Sequence, residues 1–103
     1  MAKKVSYIPP SLRNKFLGRA RRLKAKGLSQ KLVVFTCMSE AVASSYRYVE
    51  LIQLRKFWSA AMLQVMSKGT YAPQHFCNYL NKPSNYNSKV CREIYDTITS
   101  VFV

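Results

Sequence analysis

Lysine and arginine side chains dominate the first third of this chain, where no aspartate or glutamate precedes Glu40. Ammonium and guanidinium groups are charged hydrogen-bond donors at neutral pH, and guanidinium groups bind phosphates and carboxylates through two parallel bonds. The chemistry that these side chains can do is therefore the binding of anions. We expect the following cations, one of which lies beyond the first third, to take part: Lys3, Lys4, Arg13, Lys15, Arg19, Arg21, Arg22, Lys24, Lys26, Lys31 and Arg47.

The whole chain is strongly basic. Its 103 residues include 17 Lys and Arg against 4 Asp and Glu, which gives a net charge of +13. Such an excess is typical of proteins that bind nucleic acid, and less often of proteins that bind anionic membranes. We therefore expect a small basic nucleic-acid-binding protein that holds the phosphate backbone, a regulator or accessory factor of the kind that plasmids and phages encode.

A helix is the element that must position most of these cations. Pro9 and Pro10 prevent an earlier start, and Ser11 is predicted to be the N-cap. An apolar stripe at helical spacing consists of Leu12, Phe16, Ala20 and Leu23. A ridge of cations runs beside this stripe and consists of Lys15, Arg19, Arg22 and Lys26. Gly27 is predicted to end the helix, which would present one face to a core and the other to a partner.

A second helix is predicted from the apolar run that follows Gly27, with a break near residues 36–39, where Ser39 is a candidate N-cap. From Ser39 to Lys68 there is neither proline nor glycine, but the apolar seam changes face along this stretch. Either a helix breaks around residues 50–53, or one long central helix lies between two neighbours. Gly69 is the predicted stop.

Two further helices complete the prediction, one that begins at Pro73 and one that is capped by Ser88. The expected fold is all-α, a compact bundle of about four or five helices with a basic N-terminal arm. Residues 1–10 would form the extended arm, and residues 11–103 would form a single helical domain.

A short stretch resembles the opening of helix-turn-helix domains. Gly27-Leu28-Ser29-Gln30, followed by Met38-Ser39-Glu40 and Tyr46, is similar to the Leu-Thr-Gln … Val-Ser pattern of that family. The resemblance implies a recognition helix over residues 39–48. This sequence departs from the pattern because Cys37 lies near the usual turn glycine and the intervening helix is one residue short.

Catalytic and metal-binding chemistry has few candidate residues. The chain has one histidine, His75, and its few carboxylates form no paired or triad motif, so we predict that it is not an enzyme and needs no cofactor. Cys37, Cys77 and Cys91 are widely spaced and lack the two tight ligand pairs of structural zinc sites. We expect reduced, mostly buried thiols and no metal.

A second surface is a candidate for contacts with unpaired bases, which stack on aromatic rings and bond to amide side chains. Its aromatic and polar members are Tyr71, His75, Tyr79, Tyr86, Asn78, Asn81, Lys82, Asn85 and Asn87. The alternative is that the aromatic rings pack in the core and the asparagines stabilise turns. The sequence leaves both interpretations open.

The alternative to nucleic-acid binding is a helical protein-interaction module, an inhibitor or adaptor that docks on an acidic partner. The changing seam of residues 39–68 would suit such a role, and a homodimer through Trp58 and its neighbours would cover the same face. No apolar run is long enough to span a membrane. The first ten residues lack the apolar segment of a signal peptide, so we expect a cytoplasmic protein.

Overall fold

The computed structural model describes residues 7–67 and 73–103, and every regular element within them is helical. Five α-helices are present in these ranges: α1 (Pro10–Ala25), α2 (Gln30–Ala43), α3 (Leu51–Met66), α4 (Pro73–Leu80) and α5 (Lys89–Thr99). Short 3₁₀ turns follow α2, α4 and α5 at Ser45–Arg47, Pro83–Asn85 and Ser100–Phe102. The predicted all-α bundle is confirmed. Lys3, Lys4, Gly69 and Tyr71, which carried predictions, lie outside the described residues.

Helix α1 begins earlier than the sequence indicated. Pro9 is the N-cap, with φ −62° and ψ 147°, and Pro10 occupies the first turn, so the prediction of Ser11 as the cap was wrong. Proline suits this position because the first helical amides have no intrahelical acceptor to lose. The predicted end at Gly27 is confirmed, because Gly27 has a φ of 91° and its amide bonds to the carbonyl of Lys24 at 2.9 Å.

Helix α2 is continuous where a break was predicted. The side chain of Ser29 caps its first turn by accepting a hydrogen bond from the amide of Leu32. The predicted break near residues 36–39 was wrong, and so was the helix-turn-helix alternative, because residues 39–48 do not form a separate recognition helix.

Helix α2 ends at Ala43, and Ser44 is its C-cap. The hydroxyl of Ser44 donates to the carbonyl of Glu40 at 3.1 Å, and α3 begins at Leu51 after the 3₁₀ turn. Of the two alternatives for residues 39–68, the chain does break, but over residues 44–50 rather than 50–53.

The core is organised around α2, which packs against all four other helices. Its buried side chains share one broad face and are Val33, Val34, Cys37, Met38 and Ala41, and Phe35 and Val42 are partly buried against the core. Beside it, Trp58 of α3 packs edge-to-face on Phe76 of α4 with ring centroids 4.7 Å apart, and Phe35 of α2 completes the aromatic group. The central helix is thus α2.

The C-terminal part agrees with its local sequence signals. Helix α4 begins at Pro73 as predicted, and Phe76 and Leu80 are its buried residues. Helix α5 is capped by the side chain of Ser88, which accepts a hydrogen bond from the amide of Cys91. Both predictions are confirmed, and they follow from the first-turn preferences of proline and serine.

The chain just before α1 also packs on the domain. The amide of Tyr7 donates to both carboxylate oxygens of Glu93 on α5, at 2.8 and 3.0 Å. The next residue, Ile8, is 3% exposed and belongs to the core. These two residues, which were predicted to lie in the arm, hold the start of α1 against α5.

Candidate nucleic-acid interface

The orientation of α1 decides where its cations lie. Its apolar stripe is buried against α2 and α5, and the buried residues are the four that the sequence predicted: Leu12, Phe16, Ala20 and Leu23. Lysine and arginine side chains occupy the flanks and the outer face of the helix, since their charges must stay in water or find a partner. The cations of α1 therefore form two groups, one beside α2 and one beside the C-terminal turn.

The first group lines a groove of about 500 Å³ between α1 and the C-terminal half of α2, which we call the α1–α2 groove. Lys15, Arg19 and Arg22 line it from α1, and Arg47 and Tyr48 line it from the turn after α2. The structure thus brings four predicted cations together, one of which is distant in sequence. Glu40 is the acidic residue among the described side chains of this groove.

Glu40 holds one of these cations. The Nε of Arg19 donates to Oε1 of Glu40 at 3.0 Å, and one terminal nitrogen donates to Oε2 at 2.8 Å. This hydrogen-bonded pair, together with the charge of the carboxylate, raises the pKa of Arg19 above its ordinary value. The charge of Arg19 is therefore partly neutralised by an acidic residue of the same chain.

Tyrosines position two other cations of the groove. The Nζ of Lys15 donates to the hydroxyl of Tyr48 at 2.7 Å and lies 5.3 Å from the centre of its ring. The Nε of Arg47 donates to the hydroxyl of Tyr46 at 3.0 Å. These neutral partners orient the cations without removing their charge, so both remain able to attract an anion.

The second group lies beside the C-terminal turn. The Nζ of Lys24 donates to the carbonyl of Val101 at 2.6 Å and lies 5.3 Å from the ring centre of Phe102. Arg21 shares a shallow depression with Lys24. Arg13 lines a different groove, near α5, that also contains the carboxylates of Glu93 and Asp96. The charge of that groove is mixed, so it is a weaker candidate for binding anions.

Two predicted cations lie beyond the end of α1. Lys26 is exposed directly after the helix, and Lys31 is exposed in the first turn of α2. The Nζ of Lys31 donates to Oδ1 of Asn78 on α4 at 2.8 Å. Within residues 7–67 and 73–103, the side chains of several predicted cations make no hydrogen bond or ion pair with another described residue: Arg13, Arg21, Arg22 and Lys26.

Two contacts of the α1–α2 groove were not predicted from the sequence. The pairing of Arg19 with Glu40 joins residues 21 positions apart, and the contact of Lys15 with Tyr48 joins residues 33 apart. Neither follows from local spacing, because both depend on the way α1 packs on α2. The tyrosine next to Arg47 was the one available signal, since lysine and arginine side chains pack on the faces of aromatic rings.

Three residues of the predicted base-binding surface make hydrogen bonds inside the fold. Tyr86 is buried, and its hydroxyl donates to the carbonyl of Leu80. The amide nitrogen of Asn81 donates to the carbonyl of Cys77, and that of Asn85 donates to the carbonyl of Tyr79, each at 2.8 Å. For Tyr86 and Asn81 the core-and-turn interpretation is correct, and Asn85 stabilises the turn through its amide nitrogen alone.

The cysteines lie apart from one another. Cys37 and Cys91 are buried and Cys77 is half-buried, and all three are free thiols. Burial raises the pKa of Cys37 to about 11 and also raises the pKa of the other two thiols. In the part of the chain that the structure describes, no cluster of three or more His, Cys, Asp or Glu side chains has the geometry to hold a metal ion.

Comparisons with known proteins add no family to this description. No protein-family model matches the chain, and searches of the curated proteins and of the solved structures yield no match. Among the described helices, none combines the length and apolar character needed to cross a membrane.

Proposed function

We propose that this protein is a small nucleic-acid-binding regulator or accessory factor that holds the phosphate backbone along α1. One observation carries the proposal: Lys15, Arg19, Arg22 and Arg47 converge on the α1–α2 groove, where Glu40 is the acidic residue in the described lining. We propose that it acts in the cytoplasm as a binding protein, without a catalytic step.

The dimensions of α1 suit a polyanion. The helix has 16 residues and is therefore about 24 Å long. Phosphates follow one another along a nucleic-acid strand at about 3.4 Å per nucleotide of helix axis, so α1 spans about seven of them. The side chains of Arg21, Arg22 and Lys26 make no hydrogen bond or ion pair with another described residue and would contact these phosphates, each with release of condensed counterions.

Repulsion between the cations supports the same conclusion. Like charges at i, i+3 and i+4 on a helix destabilise it by a few tenths of a kcal/mol per pair. Arg19, Arg22 and Lys26 have this spacing, and Glu40 neutralises Arg19 alone. A bound phosphate chain would offset the remaining repulsion, whereas water and salt only screen it.

A second candidate function is docking on an acidic protein partner, and an exposed apolar face of α3 favours it. Leu63 is 69% exposed, Met66 is 53% exposed and Ile52 is 44% exposed, and Arg55 and Lys56 lie between them in the sequence. Leu63 and Met66 are neighbours at i and i+3 on the helix, and exposed apolar side chains that lie together favour an interaction surface. A homodimer would use this face and not Trp58, which packs on Phe35 and Phe76 inside the bundle.

The test compares two adjacent basic pairs of equal charge. Arg21→Ala/Arg22→Ala changes α1, and the matched control, Arg55→Ala/Lys56→Ala, changes α3. All four side chains are exposed, and each double substitution removes two positive charges from the net charge of +13. Binding to labelled single-stranded DNA, duplex DNA and hairpin RNA is measured by fluorescence anisotropy from 50 to 200 mM salt.

The α1 variant is expected to reduce the salt slope, the change in log affinity with log salt, by about 1.4 to 1.8, because each phosphate contact contributes about 0.7 to 0.9. Over this salt range that is about a tenfold change in affinity. The α3 control should keep the slope of the unmodified protein. Equal effects of the two variants, or no binding to any nucleic acid at 50 mM salt, would contradict the proposal, and the second result would favour the acidic partner.

A further inference from the structure

A polar groove of about 460 Å³ lies between the C-terminal part of α3 and α4, on a different surface from the α1–α2 groove. We call it the α3–α4 groove. Its lining is rich in amide and aromatic side chains and consists of Gln64, Val65, His75, Asn78, Tyr79, Lys82 and Asn85. No acidic residue is part of this lining, so an anionic ligand would not be repelled.

Several hydrogen-bonding groups of this groove remain unused within the described structure. Asn85 donates through its amide nitrogen to the carbonyl of Tyr79, which leaves its Oδ1 as an acceptor. Asn78 accepts from Lys31 through its Oδ1, which leaves its Nδ2 as a donor. The side chains of Gln64 and His75 are exposed and make no hydrogen bond to another described residue. The groove therefore offers donors and acceptors side by side, as the edge of a nucleobase requires.

The aromatic wall of the groove is fixed by the core. The ring of Tyr79 packs on Phe57 with centroids 6.3 Å apart, and Phe57 stacks on the buried ring of Tyr86 at 4.5 Å. Below it, Val65 is 6% exposed. Because these groups are held in place before a ligand arrives, binding would cost little ordering of side chains.

One contact joins this groove to the basic surface. Lys31 bonds to Asn78 at 2.8 Å and lies in the first turn of α2, shortly after Lys26 at the end of α1. Lys82 lines the groove and is exposed. A strand whose phosphates follow α1 would therefore pass Lys26 and Lys31 before it reaches the α3–α4 groove.

We propose that the α3–α4 groove binds an unpaired nucleobase, so that the protein selects single-stranded nucleic acid over duplex. This inference rests on the proposed function and adds the class of ligand. Tyr79 and His75 would contact the face of the base, and Asn78 and Asn85 would bond to its edge. In a duplex the faces are stacked and the Watson–Crick edges are paired, so a duplex cannot place a base in this groove without unpairing it.

The experiment uses a single-stranded RNA and a single-stranded DNA of 12 nucleotides, each with one 2-aminopurine, and a duplex of the same sequence. The groove variant is His75→Ala/Asn78→Ala. The matched control, Gln74→Ala/Asn87→Ala, removes two exposed polar side chains that do not line the groove. Circular dichroism and urea unfolding select variants that retain the native fold, and the single substitutions His75→Ala and Asn78→Ala replace the double variant if it does not fold.

The unmodified protein is expected to bind at least one single strand about tenfold or more tightly than the duplex, with a change in 2-aminopurine fluorescence. The groove variant should weaken single-strand binding by about tenfold, which is the usual effect of losing one stacked base, and should leave duplex affinity and the salt slope unchanged. The single strand that binds more tightly identifies RNA or DNA as the ligand.

Equal affinity for duplex and single strands would overturn this inference, as would a groove variant that binds like its control. In both cases the effect of Arg21→Ala/Arg22→Ala on the salt slope would persist, and the proposed function would stand. Absence of binding to all three ligands would overturn the proposed function itself.

Discussion

The pairing of Glu40 with Arg19 leads to a prediction in which removal of a contact strengthens binding. In Glu40→Gln the carboxylate that accepts two hydrogen bonds from Arg19, at 3.0 and 2.8 Å, is replaced by a neutral amide. Arg19 then becomes available to a phosphate in the α1–α2 groove. The net charge of the protein also rises by one.

The size of the effect follows from counterion release. One additional phosphate contact steepens the salt slope by about 0.7 to 0.9, which corresponds to about a threefold change in affinity between 50 and 200 mM salt. The gain should therefore be largest at 50 mM salt and shrink as salt is added. Thermodynamic stability should change little, because ion pairs between exposed side chains are well screened by water.

The assay is an anisotropy titration at several salt concentrations, with Glu50→Gln as the control. Glu50 is the N-cap residue of α3, lies outside the described lining of the α1–α2 groove and gives the same change in net charge. Glu40→Gln should steepen the slope, and Glu50→Gln should not. If Glu40→Gln weakened binding or both variants behaved alike, the idea that Glu40 competes with phosphate for Arg19 would be refuted.

Three further predictions concern the core. Tyr86→Phe leaves the buried carbonyl of Leu80 without its donor and should lower the free energy of unfolding by about 1 to 2 kcal/mol, measured in urea. Iodoacetamide at pH 8 should modify the half-buried Cys77 first, while Cys37 and Cys91 should react only on unfolding, as mass spectrometry would show. Because burial raises the pKa of Cys37 to about 11, its thiol stabilises the native state below about pH 9, and this contribution should be lost as the pH rises toward 11 in a series of urea unfolding curves.

Each of these predictions has its own control. Tyr46 is 74% exposed, so Tyr46→Phe should leave stability unchanged, and a similar loss in both variants would contradict the role of the buried hydroxyl. Rapid modification of Cys37 in the native state would show that it is more accessible than its 2% exposure implies. Cys37→Ala should reduce the fall in stability at high pH, and an unchanged pH profile would exclude this thiol as a cause.

The parts of the fold that could be predicted are those with local causes. Gly27, Pro73 and Ser88 mark helix ends because a positive φ, a fixed φ and a hydroxyl cap act within one turn of the chain. Ser39 failed as a helix start because the helix around it is held by tertiary contacts. Its neighbour Met38 is 0% exposed, and the burial of such side chains of α2 against the other helices outweighs the capping preference of one serine.

The candidate site also combines features with local causes, which could be predicted, and features that depend on tertiary packing, which could not. The cations of α1 could be predicted to share a surface because the spacing of Lys15, Arg19 and Arg22 is helical. The convergence of Arg47 on them could not, since it requires the turn after α2 to lie beside α1. The α3–α4 groove could not be predicted from the sequence for another reason. Sequence composition cannot distinguish an asparagine that bonds to the backbone, such as Asn81, from one with a free donor, such as Asn78.

The distribution of charge is linked to the central position of α2. A helix packed against four neighbours has little surface for charges, and α2 carries only Lys31 near its start and Glu40 near its end. The outer helix α1 is buried along a single stripe and therefore can carry many charges. Six of the 17 Lys and Arg residues lie on this helix, which is about 24 Å long. The packing that makes α2 the core is thus what leaves the two flanks of α1 free to carry cations, and the charges of a nucleic-acid strand, the proposed ligand, repeat along such a length.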